Sequence, residues 1–310
     1  MLRYVDHAII GVADLAAAAR DYEALLGVAV SPGGTHPGVG THNRLVVLDP
    51  AYIELIARLP AADPDAALIS PVAPMLARLP GPIGFALASD DLAADVAETQ
   101  ARGVAVAGPY AGRLEGPDGS ARGWQVAWVE DDPRLGTEAW RLPFLIQHDA
   151  TGRARLERLA RPDSLRPHPL GAARLVRVTV AAHSLAAALR AYALAFGLVP
   201  AVDDPDDTGE DAMLRARTAR LPLADGAIVL AEPLPASGAA DDVGPLARGL
   251  AAAGEGLYSV TIAVADLQAA VDSIRGRGVG VRVDERDGVL VAAYPDPAAA
   301  HGARVELTQM

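Results

Sequence analysis

Four copies of one short pattern run through the chain, and this repeat restricts the possible folds more than any other feature. Each copy is a run of β-branched and apolar residues, then Asp or Ser, then a helix-forming stretch closed by Gly. The copies are residues 5–12 with Asp14 and Gly27, 83–88 with Asp91 and Gly103, 175–180 with Ser184 and Gly197, and 258–264 with Asp266 and Gly278. Asp or Ser at a helix start accepts hydrogen bonds from free backbone amides. Gly past the last turn takes the left-handed conformation that ends a helix. The spacing alternates: cap to Gly is 13 residues in the first and third copies (14 to 27, 184 to 197) and 12 in the second and fourth (91 to 103, 266 to 278). The odd helices end Leu25-Leu26-Gly27 and Ala195-Phe196-Gly197, and the even ones end Arg102-Gly103-Val104 and Arg277-Gly278-Val279. The alternation points to duplication of a pair of units.

Strand-like runs follow the helices, at residues 44–48 and 52–56 in the first unit and at 288–293 and 303–307 in the fourth. Residues 149–171 mix Arg, Pro and Gly and read as a linker. The 310 residues suit about two domains. The Asp-rich stretch 202–210 reads as a solvated loop, because its prolines and missing terminal Glu do not suit a calcium loop.

Composition removes several function classes. The chain has no Cys, which excludes disulfides, thiolate metal sites and a cysteine nucleophile. It has no Lys, which excludes a Schiff-base lysine and a Walker-type phosphate loop. A net charge of −12 argues against a nucleic-acid partner. No uncharged apolar run reaches the roughly 18 residues of a membrane span, and the charged first residues do not suit a signal peptide. A cytoplasmic location is the expectation.

In the segments Asp6-His7-Ala8-Ile9-Ile10, Gly33-Gly34-Thr35-His36-Pro37, Gly40-Thr41-His42-Asn43, Tyr52-Ile53-Glu54-Leu55-Ile56-Ala57 and Leu142-Pro143-Phe144-Leu145-Ile146, the chain resembles the vicinal-oxygen-chelate superfamily, and within it the glyoxalase-like domain group. The resemblance implies an α+β fold: four βαβββ units forming two cupped mixed β-sheets with helices outside. It implies an N-terminal domain at 1–148 (units 1–58 and 80–148) and a C-terminal domain at 172–310 (units 172–233 and 256–310).

In that superfamily each unit can offer one metal ligand from its first strand and one from its last. The resemblance places these at His7 and Glu54 in the first unit. Strand alternation puts Val5, His7 and Ile9 on one face, and Tyr52, Glu54 and Ile56 on one face. Imidazole with carboxylate suits a divalent Zn, Mn, Ni or Fe ion; no organic cofactor is implied. The second unit offers Gly84, which has no side chain, and Gln147, a weak ligand; His148 is expected on the opposite face. His42 is a possible substitute ligand, and His42, Asn43 and Arg44 are expected to orient a carbonyl or carboxylate substrate. In the second half the same positions read Arg177, Ser259 and Glu306, while His183 and His301 lie near turns. Arg is no ordinary metal ligand, so the C-terminal cup is expected to be mainly structural, without extradiol cleavage of catechols.

Two functional readings follow. One is a divalent-metal-dependent lyase or isomerase acting on a small carbonyl or oxygenated substrate, with Glu54 as ligand or base. The other is a metal-free protein that binds or sequesters a small molecule. Either is compatible with a monomer or a homodimer.

Overall fold

All four predicted caps start helices. Asp14 accepts from the amides of Ala16 and Ala17, Asp91 from Ala94, Ser184 from Ala187 and Asp266 from Ala269. The structure is a computed structural model that describes residues 2–36, 40–48, 50–59, 80–115, 121–150, 168–171, 173–201, 208–235 and 243–310. Most of the expected linker and of the Asp-rich loop lies outside the described residues. The first half comprises β1 (Leu2–Gly11), α1 (Leu15–Leu26), β2 (Gly34–His36), β3 (Thr41–Val47), β4 (Tyr52–Arg58), β5 (Gly81–Ser89), α2 (Leu92–Ala101), β6 (Val106–Glu115), β7 (Ala121–Val129) and β8 (Phe144–His148). The second comprises β9 (Ala173–Ala181), α3 (Leu185–Phe196), β10 (Thr208–Asp211), β11 (Ala216–Pro222), β12 (Ala227–Pro233), α4 (Pro245–Ala253), β13 (Gly256–Val264), α5 (Leu267–Gly276), β14 (Val281–Arg286), β15 (Val289–Pro295) and β16 (Arg304–Gln309).

Each half is one mixed sheet of eight strands. The orders are β1-β4-β3-β2-β6-β7-β8-β5 and β10-β11-β12-β9-β13-β16-β15-β14. Two cups were expected, but only the second half stays open. In the first, Thr35 on β2 pairs with Glu115 at the far end of the ten-residue β6, and the sheet closes into a barrel. The corresponding β14 has six residues, and β10 and β14 remain sheet edges.

Every first strand is bulged at the same place. Val5 pairs with Leu87 and His7 with Ala86, so Asp6 is an extra residue; Ile9 pairs with Gly84 and Ile10 with Pro82, so Ile83 is another. In the second half the extra residues are Val176 and Tyr258. All four stand eight positions before their caps (6 to 14, 83 to 91, 176 to 184, 258 to 266). A bulge turns two consecutive side chains to one face. In β1 this leaves Val5, Ala8 and Ile10 in the helix-packed core while Ile9 faces the barrel interior.

The helix-packed core is continuous across the halves and includes Tyr22, Phe85, Leu87, Tyr192, Val260 and Ile262. Burying such a Leu, Ile or Phe side chain contributes about 1.5–3 kcal/mol. Two arginines fasten the halves. Arg102, after α2, donates to the carbonyls of Leu194 and Ala195 at 2.8 and 3.0 Å. Arg277, after α5, donates to those of Ala24 and Leu25. The helices of the second and fourth units, α2 and α5, therefore cap the C-terminal ends of α3 and α1 in the other half. Among the described residues no helix is long and apolar enough to cross a membrane.

Candidate functional site

The barrel interior is apolar at one level, where Ile9, Ile56, Ile83, Ala86, Val126, Phe144 and Ile146 cluster with Trp124, Trp128 and Trp140 packed against them. Above this lies a polar group built around His7, which is 3% exposed. Its ring stacks on Tyr52 with centroids 4.7 Å apart, and meets Phe144 edge-on at 5.6 Å. The Nδ1–H donates to Asp6 Oδ1 at 2.8 Å, which leaves Nε2 facing Glu54 Oε2 at 3.6 Å. Asp6 is fully buried, and its Oδ1 also accepts from His148 Nε2 at 3.1 Å. A carboxylate behind an imidazole fixes its tautomer and ring orientation.

The other side of Glu54 is held by β2 and β3. Asn43 Nδ2 donates to Glu54 Oε1 at 2.6 Å, and the carboxylate acceptor selects that end of the amide. His36 Nε2 lies 3.7 Å from the same oxygen, and its Nδ1 bonds Thr41 Oγ1 at 2.9 Å. Burial lowers the pKa of His36, partly opposed by Glu54. Among the buried polar atoms with no hydrogen-bond partner among the described residues are Asn43 Oδ1, an acceptor, and Trp128 Nε1, a donor.

His7, Asn43 and Glu54 thus come together as neighbours. Gln147 does not join them. Its Oε1 accepts the Leu92 amide at 2.8 Å and its Nε2 donates to the Asp90 carbonyl, so it caps α2 outside the barrel. His148, the next residue, faces inward instead. Register explains the correction: Ile9 pairs with Glu54, and its counterpart Ala86 pairs with Phe144, so Phe144 holds the Glu54 position. His42 and Arg44 flank Asn43 and take the opposite face of β3; burial, then Arg44, lowers the His42 pKa. Asp6, His36, His148 and Trp128 were not assigned from the sequence. His36 and Trp128 carried no periodic signal. Asp6 was hidden by the bulge.

The four-ligand metal centre implied by the resemblance does not fit this barrel. Two of its positions hold Gly84 and Phe144, which cannot ligate. The Asn43 N–H group, a donor, already points at Glu54 and lies 3.4 Å from His36 Nε2, where a cation would need acceptors. Among the described residues no group of three or more His, Asp or Glu side chains is arranged to hold a metal ion.

The two mixed eight-stranded sheets, one closed into a barrel and one open, match the vicinal-oxygen-chelate fold. A family model described as a glyoxalase-like domain matches residues 5–196, and the chain belongs to that family. A hypothetical protein from Staphylococcus aureus is 15% identical and superposes with a TM-score of 0.64 over 99% of each chain. A mutant 4-hydroxymandelate synthase from Streptomyces coelicolor is 16% identical, with a TM-score of 0.63 over 100% of this chain and 93% of that one. These likenesses concern the fold. No curated protein matches the chain.

Proposed function

We propose that the chain is an enzyme that moves a proton on a small oxygenated compound bound inside the N-terminal barrel, an isomerase or lyase in outcome. The observation that carries this reading is the buried series Asp6–His7–Glu54, with His7 Nε2 presented to Glu54 at 3.6 Å. That spacing is longer than a hydrogen bond, and catalytic contacts of this kind tighten once substrate is bound. Glu54 takes the proton from the carbon beside a carbonyl. Glu54 passes that proton to the free Nε2 of His7, which is held by Asp6 and by its stack on Tyr52, and His7 returns it to the substrate. Trp128 Nε1 donates to the substrate oxygen on which charge builds, and Asn43 Oδ1 accepts from a hydroxyl. The aromatic walls keep water from the reacting carbon. The divalent metal implied by the resemblance has no step here, because its donor set is incomplete. The site lies in the first of two proposed domains, 1–148 and 172–310, joined by 149–171.

The test is exchange of carbon-bound hydrogen in D2O, followed by NMR, over a panel of small 2-oxo and 2-hydroxy acids and aldehydes. Wild type should exchange at least one compound. Glu54→Gln should slow it by about 10²–10⁴-fold, and prior treatment with a chelator should leave it unchanged. Chelator-sensitive exchange would refute the metal-free mechanism. Binding that depends on Glu54, without exchange of any compound, would favour the sequestering protein.

A further inference from the structure

The C-terminal half was expected to be mainly structural, yet its concave face lines an open cavity of about 570 Å³. Ligand sites span about 300–1,000 Å³. The half is open where the first closes, between the edge strands β10 and β14. We infer that this cavity is a second ligand site, which takes a small organic carboxylate anchored by Arg304 and Arg282.

The acids of the lining are already engaged. Glu306 accepts two hydrogen bonds from Arg177 Nη2, both at 2.8 Å, and a third from Thr261 Oγ1 at 2.8 Å. Asp296 accepts the Ala298 amide at the start of a short 3-10 turn. The two arginines are not so engaged. Arg304 lies 4.4 Å over the Tyr258 ring and Arg282 lies 4.5 Å over the Tyr294 ring. Neither is in an ion pair among the described residues; Arg282 Nη1 has the Met213 sulfur at 3.9 Å. Stacking on an aromatic face orients a guanidinium without using its N–H fork, and that fork matches a carboxylate.

Tyr258 occupies the bulge position that Ile83 holds in the first half, so the irregularity shared by all four first strands here turns an aromatic ring into this cavity. Burial pushes the Tyr294 hydroxyl up to about 12 and raises that of Tyr258, so both remain neutral donors. Met213, Leu214 and Val281 supply apolar wall for the body of the ligand.

Benzoate and its neutral counterpart benzamide are the probes, titrated into the full chain and followed by the backbone amide signals of Ser259 and Arg304. Benzoate should bind and move those signals, with benzamide at least about tenfold weaker. Arg304→Gln should weaken benzoate by at least about tenfold, as should the more exposed Arg282→Gln if the first variant does not fold. Glu54→Gln should leave benzoate affinity unchanged, which separates this site from the barrel. Equal binding of the two probes, signal changes confined to barrel residues, no benzoate binding, or two folded Arg variants with wild-type affinity would each overturn the inference.

Discussion

Asp6 and His7 are adjacent in the chain, yet both side chains enter the barrel and the imidazole Nδ1–H donates to Asp6 Oδ1 at 2.8 Å. In a regular strand they would face opposite sides; the bulge permits the contact. Asp6 is here a positioning residue that fixes the tautomer and ring orientation of His7. Asp6→Asn retains an oxygen acceptor but removes the charge. Hydrogen exchange on a turned-over substrate should fall by about 10–100-fold, mainly in kcat, and the ¹⁵N shifts of His7 should report a changed tautomer or charge. Unchanged exchange and unchanged shifts would reduce Asp6 to a packing role.

The repeat and its caps were legible because capping and helix termination act through local backbone chemistry. The alternation of Arg277-Gly278-Val279 with Leu25-Leu26-Gly27 was visible too, but its meaning lay in a contact between residues more than 250 positions apart. The bulges were not visible: Ala8, Ile9 and Ile10 are apolar on both faces, so polarity did not mark the change of phase. For the same reason the last strand of the second unit was read out of register. A slip by an odd number of residues exchanges faces, and here it put Gln147 where Phe144 belongs. Closure of the barrel depends on the three-residue β2, too short to show a period.

The arginine contacts across the halves lead to a stability prediction. Arg102 and Arg277 each satisfy carbonyls at a helix C-terminus, where a cation is favoured by the helix dipole. Arg277 is also held by Ser273 Oγ at 2.6 Å, and Arg102 by Thr99 Oγ1 at 3.1 Å. Arg102→Met and Arg277→Met should each lower unfolding free energy by about 1–3 kcal/mol. The two losses should add, since the sites share no partner. Urea titration measures both; variants as stable as wild type would show that these contacts are incidental.

His168 predicts an acid-sensitive stability. Its Nδ1 accepts the Leu170 amide at 3.1 Å, so the neutral ring is the form that builds this turn. Burial, assisted by Arg277, lowers its pKa from 6.5 to about 4. The unfolded chain takes up a proton as pH falls through 6.5, whereas the folded chain does not until about 4. Stability is therefore full above that window and falls as pH drops through it. The His168 contribution to the loss between pH 7.5 and 5 is about 2 kcal/mol. His168→Gln should be less stable than wild type at pH 7.5, with the difference shrinking at pH 5. A difference independent of pH would remove the titration from the argument.

The final prediction concerns the pair that replaces a metal-type site in the second half. Arg177 stands at the position of His7 and Glu306 at that of Phe144, and they meet through two 2.8 Å contacts. Thr261 bonds both, so the three side chains form a closed network, of which Glu306 lines the cavity. Removing one member leaves the other charge poorly paired in a partly buried place, which is costlier than removing both. The Arg177 side chain is 36% exposed, so solvent screens the effect. Arg177→Met and Glu306→Gln should each cost about 1–2 kcal/mol, and the double variant should cost less than their sum by about 1 kcal/mol. The same double variant should leave exchange in the N-terminal barrel unchanged. Strict additivity would mean the pair is a geometric coincidence. Loss of exchange would mean that the second half takes part in the chemistry of the first.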